Sequence, residues 1–140
     1  MNALVLYRIS NWLYKHHIPI LPKLLQLLVF LLFNCYIPYQ IKMGRGCKIG
    51  HRGIGVVINK DAVIGNDVLI RAHVTIGKKD SNSPAPVIGN KVVLGDGSKI
   101  IGNITIGDGV VVGANAVVVK DIEKNSIVGG VPAKLIGKVN

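Results

Sequence analysis

Aliphatic residues return every six positions along most of this chain, at Ile58, Ile64, Ile70 and Ile76 and again from Ile88 through Leu94, Ile100, Ile106 and Val112 to Val118. A glycine follows many of them, as at Gly65, Gly77, Gly89, Gly107 and Gly113. The position two before each anchor is small or branched, as in Ala62, Val68, Val74, Ser98 and Ala116. A six-residue period matches neither the 3.6 of a helix nor a long alternating strand. It matches a short strand plus a turn, repeated so that equivalent side chains stack into one core. The 84 residues from Ile37 to Lys120 suffice for four to five coils of three hexads. The fold class predicted is an all-β solenoid.

Ahead of the repeats the pattern changes. Leu4, Leu6, Tyr7, Ile9, Trp12 and Leu13 predict an amphipathic helix over residues 3–17, and Pro22 opens a second helix running to Phe33. That second helix is apolar on almost every face yet about half the roughly 20 residues a membrane span requires. Such a surface must be covered, either by the solenoid or another subunit, or by the inner membrane against which it would lie flat. The chain thus divides into a helical extension over 1–36, a solenoid over 37–120 and a tail over 121–140.

The six-residue phase breaks twice. Ile76 to Ile88 is a double step, and residues 78–86 within it carry turn formers and no repeat character, which predicts an extruded loop. Ile49 to Ile58 is nine residues, three more than the period, and contains Gly50-His51-Arg52-Gly53-Ile54-Gly55. A bulge at a coil corner absorbs the excess. Counting coils from there puts Ile49, Ile70 and Ile88 on one face, Ile58 and Ile76 on the next, and His51 near His73 on neighbouring coils. A histidine, a bulge, a basic cluster and a loop therefore converge on one region.

Charge and cysteine content narrow the partners. The formal charge is +10, with Arg52, Arg71 and Lys78 in the stretch around the bulge and loop. That balance suits anionic ligands such as coenzyme phosphates or acidic sugars, or a membrane surface. Nucleic acid is a poor fit, because no nucleic-acid motif is present and the coils offer no helix for a groove. Two cysteines, Cys35 and Cys47, are too few for a disulfide framework, and neither has an adjacent base to activate it. No cleavable leader is apparent, which makes the cytoplasm the expected compartment. Three histidine ligands for a zinc site are missing from the coils, so no metal is expected.

The repeat resembles the hexapeptide-repeat acyltransferases, and that resemblance implies a left-handed parallel β-helix, triangular in section, assembled as a homotrimer. The stretch Ile49, His51, Val56-Val57-Ile58 and Ala62-Val63-Ile64-Gly65 resembles their serine acetyltransferase branch, as does the closing Val128-Gly129-Gly130-Val131-Pro132-Ala133-Lys134. The resemblance implies that acetyl-CoA is the co-substrate and that His51 is the general base, with His73 accessory or structural. It implies coenzyme contacts at Gly95, Gly97, Ser98, Gly113, Ala114 and Ala116, with Lys120 and Lys134 near the phosphates. Arg52, Arg71 and Lys78 are then the basic side chains available to the acceptor.

The chain also departs from that branch. Gly50 stands where the branch has an aspartate before the histidine, Tyr36 where it has an upstream aspartate, and Ala85 where it has a second histidine before proline. With those groups gone and the helical extension short, the design looks like the O-acetyltransferases of bacterial capsule, exopolysaccharide and O-antigen pathways. The expected acceptor is accordingly a sugar hydroxyl. Serine O-acetylation and a non-catalytic repeat scaffold are the alternatives.

Overall fold

The computed structural model describes residues 2–140 and is a left-handed β-helix of about four turns carried on two helices. Helix α1 (Ala3–Lys15) starts at Asn2, whose side chain accepts from Leu4 N, and α2 (Leu21–Phe33) has Pro22 in its first turn and ends at the left-handed Asn34. The strands are β1 (Lys42–Met43), β2 (Lys48–Ile49), β3 (Val57–Ile58), β4 (Val63–Ile64), β5 (Leu69–Ile70), β6 (Thr75–Gly77) and β7 (Val87–Ile88). They continue with β8 (Val93–Leu94), β9 (Lys99–Ile101), β10 (Thr105–Ile106), β11 (Val111–Val112), β12 (Val117–Val118), β13 (Ser126–Gly129) and β14 (Lys134–Lys138).

Three sheets form the faces of a prism. The first runs β1-β4-β7-β10, the second β2-β5-β8-β11-β13-β14 and the third β3-β6-β9-β12. All neighbours are parallel except β13 and β14. The period-six anchors point inward and stack: Ile58, Ile76, Ile100 and Val118 on the third face are at most 1% exposed. Each coil thereby buries three branched side chains against the coils above and below, which suits Val and Ile better than bulky aromatics.

The Ile88 expectation needs correcting. Ile70 pairs in register with Leu94, while Ile88 pairs with Ile64 and Ile106. The loop between β6 and β7 adds six residues to one coil, so partners there are twenty-four apart, as in Ile70 and Leu94. The segment after Lys120, read from sequence as a tail, also lies on the solenoid, since Val111 and Val112 pair with Ile127 and Val128 of β13.

The edge between the first and second faces is held by a side-chain ladder. Asn66 Oδ1 accepts from Arg45 N, Asn90 Oδ1 from Asn66 N and Asp108 Oδ1 from Asn90 N, at 2.7–2.8 Å. These bonds satisfy corner N–H groups that no strand partner reaches.

Helix α1 closes the base of the prism. Tyr7 Oη donates to Ile41 O at 2.5 Å, the Arg8 guanidinium donates to Met43 O and Gly44 O, and Asn11 Nδ2 donates to Tyr39 O. Burial pushes the Tyr7 phenol up to about 12 and the Cys35 thiol up to about 11. Both groups are neutral when protonated, so the folded chain holds these protons to higher pH than the unfolded one, whose values are 10.0 and 9.0. The stability they contribute is complete below about pH 9 and is lost as pH rises toward 11 to 12. Thermal melts over that alkaline range should show a falling Tm. Tyr7→Phe should begin about 1 kcal/mol less stable and lose less on the approach to pH 12. An identical alkaline slope in the variant contradicts this assignment.

Candidate active site

The three-residue excess between Ile49 and Ile58 folds as a 3₁₀ turn over Gly50–Gly53, inserted where the second face passes to the third. Its cost to register is visible on either side. Lys48 pairs with Leu69, twenty-one residues on, whereas Val57 pairs with Thr75, eighteen on. Inside the turn His51 (φ 46°) and Arg52 (φ 62°) both take left-handed backbone, an arrangement that costs roughly 1–2 kcal/mol for each non-glycine residue. Strain of this kind persists only where surrounding contacts impose it.

Those contacts come from the helical extension. Gly53 sits where a Cβ would come within 3.2–3.3 Å of Ala3 Cβ, Cys35 Sγ and Ile49 Cδ1. Gly55 N donates to Asn34 O at 2.9 Å, and the Arg52 guanidinium lies over the Phe33 ring, 5.5 Å from its centroid. Both helices therefore shape the histidine turn. Sequence reasoning missed this; the only written signal is the pair of small residues Ala3 and Gly53, far apart in the chain.

His51 is exposed at the edge between the second and third faces. His73 follows on the next coil of the same edge. Its N–H donates to Ile54 O at 2.9 Å, its carbonyl accepts from Lys99 Nζ at 2.8 Å, and its ring fills the space that a Cβ on Gly55 would occupy. His73 thus packs directly on the bulge that carries His51. The turns continuing this edge contain Arg71, then Gly95, Gly97 and Ser98, then Gly113, Ala114 and Ala116. Most of the sequence-predicted residues consequently line one edge of the prism.

Not all of them can offer a side chain there. Ser98 and Ala116 are fully buried in the coil interior, Ser98 Oγ has no hydrogen-bond partner among the described residues, and the backbone groups of both are bonded within the coils, so neither presents a group at the surface. Arg71 Nη1 is 4.0 Å from Asp96 Oδ2 with both side chains about half exposed, a weak pair that leaves the guanidinium adjustable. The N–H groups of Ile54, Gly55 and Val56 are donated to His51 O, Asn34 O and Gly53 O. An oxyanion donor must come from outside that trio.

Lys78 and Lys120 lie elsewhere, at the edge between the third and first faces. Lys78 Nζ is 2.6 Å from Asp61 Oδ2, and this bond holds the Asp61 carboxyl below its usual range. The 78–86 loop leaves from the same edge and overhangs a groove of about 310 Å³ lined by Lys79, Ile101, Gly102, Asn103, Ile104 and Val119. Gly102 opens onto empty space there, with nothing within 4 Å of where its Cβ would be. Lys134 opens β14, on the C-terminal rim. Tyr36 bridges Val57 beside the bulge, and Ala85, near the end of the loop, is buried in the core.

Comparison with known proteins agrees with this architecture. Residues 85–120 match the family model described as bacterial transferase hexapeptide (six repeats). The serine acetyltransferase of Helicobacter pylori strain J99 is 39% identical over 140 residues, spanning 99% of this chain and 81% of that protein. The serine acetyltransferase of Synechococcus elongatus is 40% identical over 137 residues, spanning 96% of this chain and 56% of that one. The chain therefore covers little more than half the length of some curated relatives it matches. A Brucella abortus strain S19 serine acetyltransferase, solved in complex with coenzyme A, superposes with a TM-score of 0.93 at 33% identity, covering 99% of this chain and 56% of that one.

The chain belongs to the hexapeptide-repeat transferase family. Within it, the relatives compared above, matched over 96–99% of this chain, are serine acetyltransferases. This overturns the expected assignment to surface-polysaccharide O-acetylation. The similarity spans 99% of the chain and so includes both helices, which means the short apolar extension does not mark a glycan enzyme.

Proposed function

We propose that this protein transfers acetyl from acetyl-CoA to the hydroxyl of serine, with His51 as general base, between protomers of a homotrimer. The observation that carries the reading is His51 itself: an exposed imidazole on a doubly left-handed turn, on an edge whose later turns carry Gly95, Gly97, Gly113 and Ala114. The acceptor class rests on the serine acetyltransferases that the chain resembles over its length.

In this reading the serine hydroxyl attacks the thioester carbonyl while the His51 imidazole takes its proton. The tetrahedral intermediate collapses, the C–S bond breaks, and the imidazolium returns the proton to the departing thiolate. No acyl-enzyme is needed. Cys35 is the thiol beside this turn, but it is buried and its thiolate is disfavoured, since burial raises its pKa to about 11. The side-chain-poor turns at Gly95, Gly97, Gly113 and Ala114 leave room for the pantetheine arm, and Lys134 stands at the rim for phosphate. The loop edge of a neighbouring protomer, with Lys78, Lys120 and the Gly102 groove, supplies the other wall. Arg52 and Arg71 are the cations nearest the acceptor.

One observation favours a second reading, a coenzyme-binding scaffold without turnover: Gly50 cannot orient the imidazole as a carboxylate would, Tyr36 supplies no carboxylate, and Ala85 adds no acid or base. Incubating the purified protein with acetyl-CoA and L-serine separates the two. O-acetylserine by mass spectrometry, matched by thiol release, is expected. Coenzyme binding without acetylserine contradicts the enzymatic reading.

A further inference from the structure

Helix α2 meets the rest of the molecule along one stripe only, with Pro22, Val29 and Phe33 buried. Its remaining surface is apolar and open: Leu24, Leu27 and Leu31 are 54%, 53% and 67% exposed, and Leu28, Phe30 and Leu32 join them. A surface this apolar does not stay in water unless something covers it. At 13 residues the helix is about 20 Å long, and no helix among the described residues is long and apolar enough to cross a membrane.

Charge identifies what covers it. Eight of the 17 Lys and Arg residues, and none of the seven Asp and Glu residues, precede Asp61. The helical extension and first coil are thus uniformly basic, whereas acidic residues are confined to the later coils. Lys15 and Lys23 lie at the α1–α2 junction with His16 and His17 between them, and Arg52 sits over Phe33 at the far end of α2. Positive charge therefore gathers at the start of the apolar helix, with no acidic residue near it. Two copies meeting through this face would bring like charges together with no acidic residue to offset them. An anionic surface that is itself apolar beneath its headgroups fits both features.

We propose that α2 docks in the plane of an anionic lipid bilayer, its leucines entering the headgroup–acyl boundary while Lys15 and Lys23 meet lipid phosphates. This does not depend on the acetyl-transfer reading, and its test involves no catalysis. Because Asn34 O and Phe33 hold the histidine turn, docking would also fix the distance of that turn from the bilayer.

The experiment is flotation of the full chain with vesicles of phosphatidylcholine alone or with about 30% phosphatidylglycerol, at low and high salt. Binding to the anionic vesicles is expected to exceed binding to the neutral ones by at least about 10-fold and to weaken with salt. The exposed-residue variant L24E/L27E/L31E, checked for unchanged circular dichroism and oligomeric mass, should lose binding by at least about 10-fold. Lys15→Glu with Lys23→Glu should weaken it by on the order of fivefold per residue. Failure of the wild-type chain to float overturns the proposal, as does equal flotation of the leucine variant. A larger assembly of the wild type that the leucine variant dissolves, without vesicle binding, would assign this face to a second copy instead.

Discussion

Replacing His51 with alanine is expected to lower acetyl transfer by about 10²- to 10⁴-fold, the range that a positioned general base contributes, while leaving the solenoid intact. The side chain is exposed and outside the core, so its loss removes no packing. The left-handed backbone at this position is easier for histidine than for a branched residue, and alanine keeps the Cβ that the turn already accommodates. Steady-state assays of wild type and variant, beside matched thermal melts, are the measurement. Coenzyme affinity should change by less than about threefold, because the general base acts on the acceptor proton and not on the pantetheine arm. A variant that retains full turnover removes His51 from the chemistry and places the general base on another residue.

The second large effect is expected at Gly53. Its φ of 104° lies where side chains are rarely tolerated, and a Cβ would press on Ala3, Cys35 and Ile49. Backbone strain there costs on the order of 1–3 kcal/mol, and crowding adds a comparable amount. Gly53→Ala should therefore destabilise the protein by about 2–5 kcal/mol and also reduce turnover, since the same turn presents His51. Adding Ala3→Gly should recover only part of the stability, because it relieves the crowding and leaves the strain. Denaturant melts of the two single variants and the double variant form a cycle that isolates the contact. Strictly additive effects would show that α1 does not brace the turn.

What could be read from the chain followed from what is periodic in it. The anchors Ile58, Ile76, Ile100 and Val118 announce a stacked core because a solenoid repeats one local environment, so each residue carries the same message as its partner a coil away. The bulge at Gly50–Gly53 was legible as a break in that period. The loop was legible too, yet its length misled the count: six inserted residues widen to twenty-four the spacing of the pairs that straddle it, and Ile88 falls on the first face instead of beside Ile70. Lys78 looked close to the histidines along the chain, but the prism turns a corner between them, and Asp61 takes its ammonium.

The bracing of the histidine turn had no comparable signal. Contacts from Ala3, Cys35 and Phe33 onto Gly53 and Arg52 link residues with no shared period, and only the folded chain brings them together. The acceptor was misread for a different reason. Gly50, Tyr36 and Ala85 stand where the branch has two carboxylates and an imidazole, and an absent group constrains an acceptor less than a present one does. A resemblance spanning both helices and all coils therefore outweighs those three positions in assigning the branch.

The decisive measurement is a structure of the assembled protein with coenzyme A bound. The coenzyme sulfur is expected beside the His51 imidazole, at the edge between two protomers, with the pantetheine arm following Gly95, Gly97 and Gly113. A sulfur bound at a different edge, beyond the reach of His51, would contradict it.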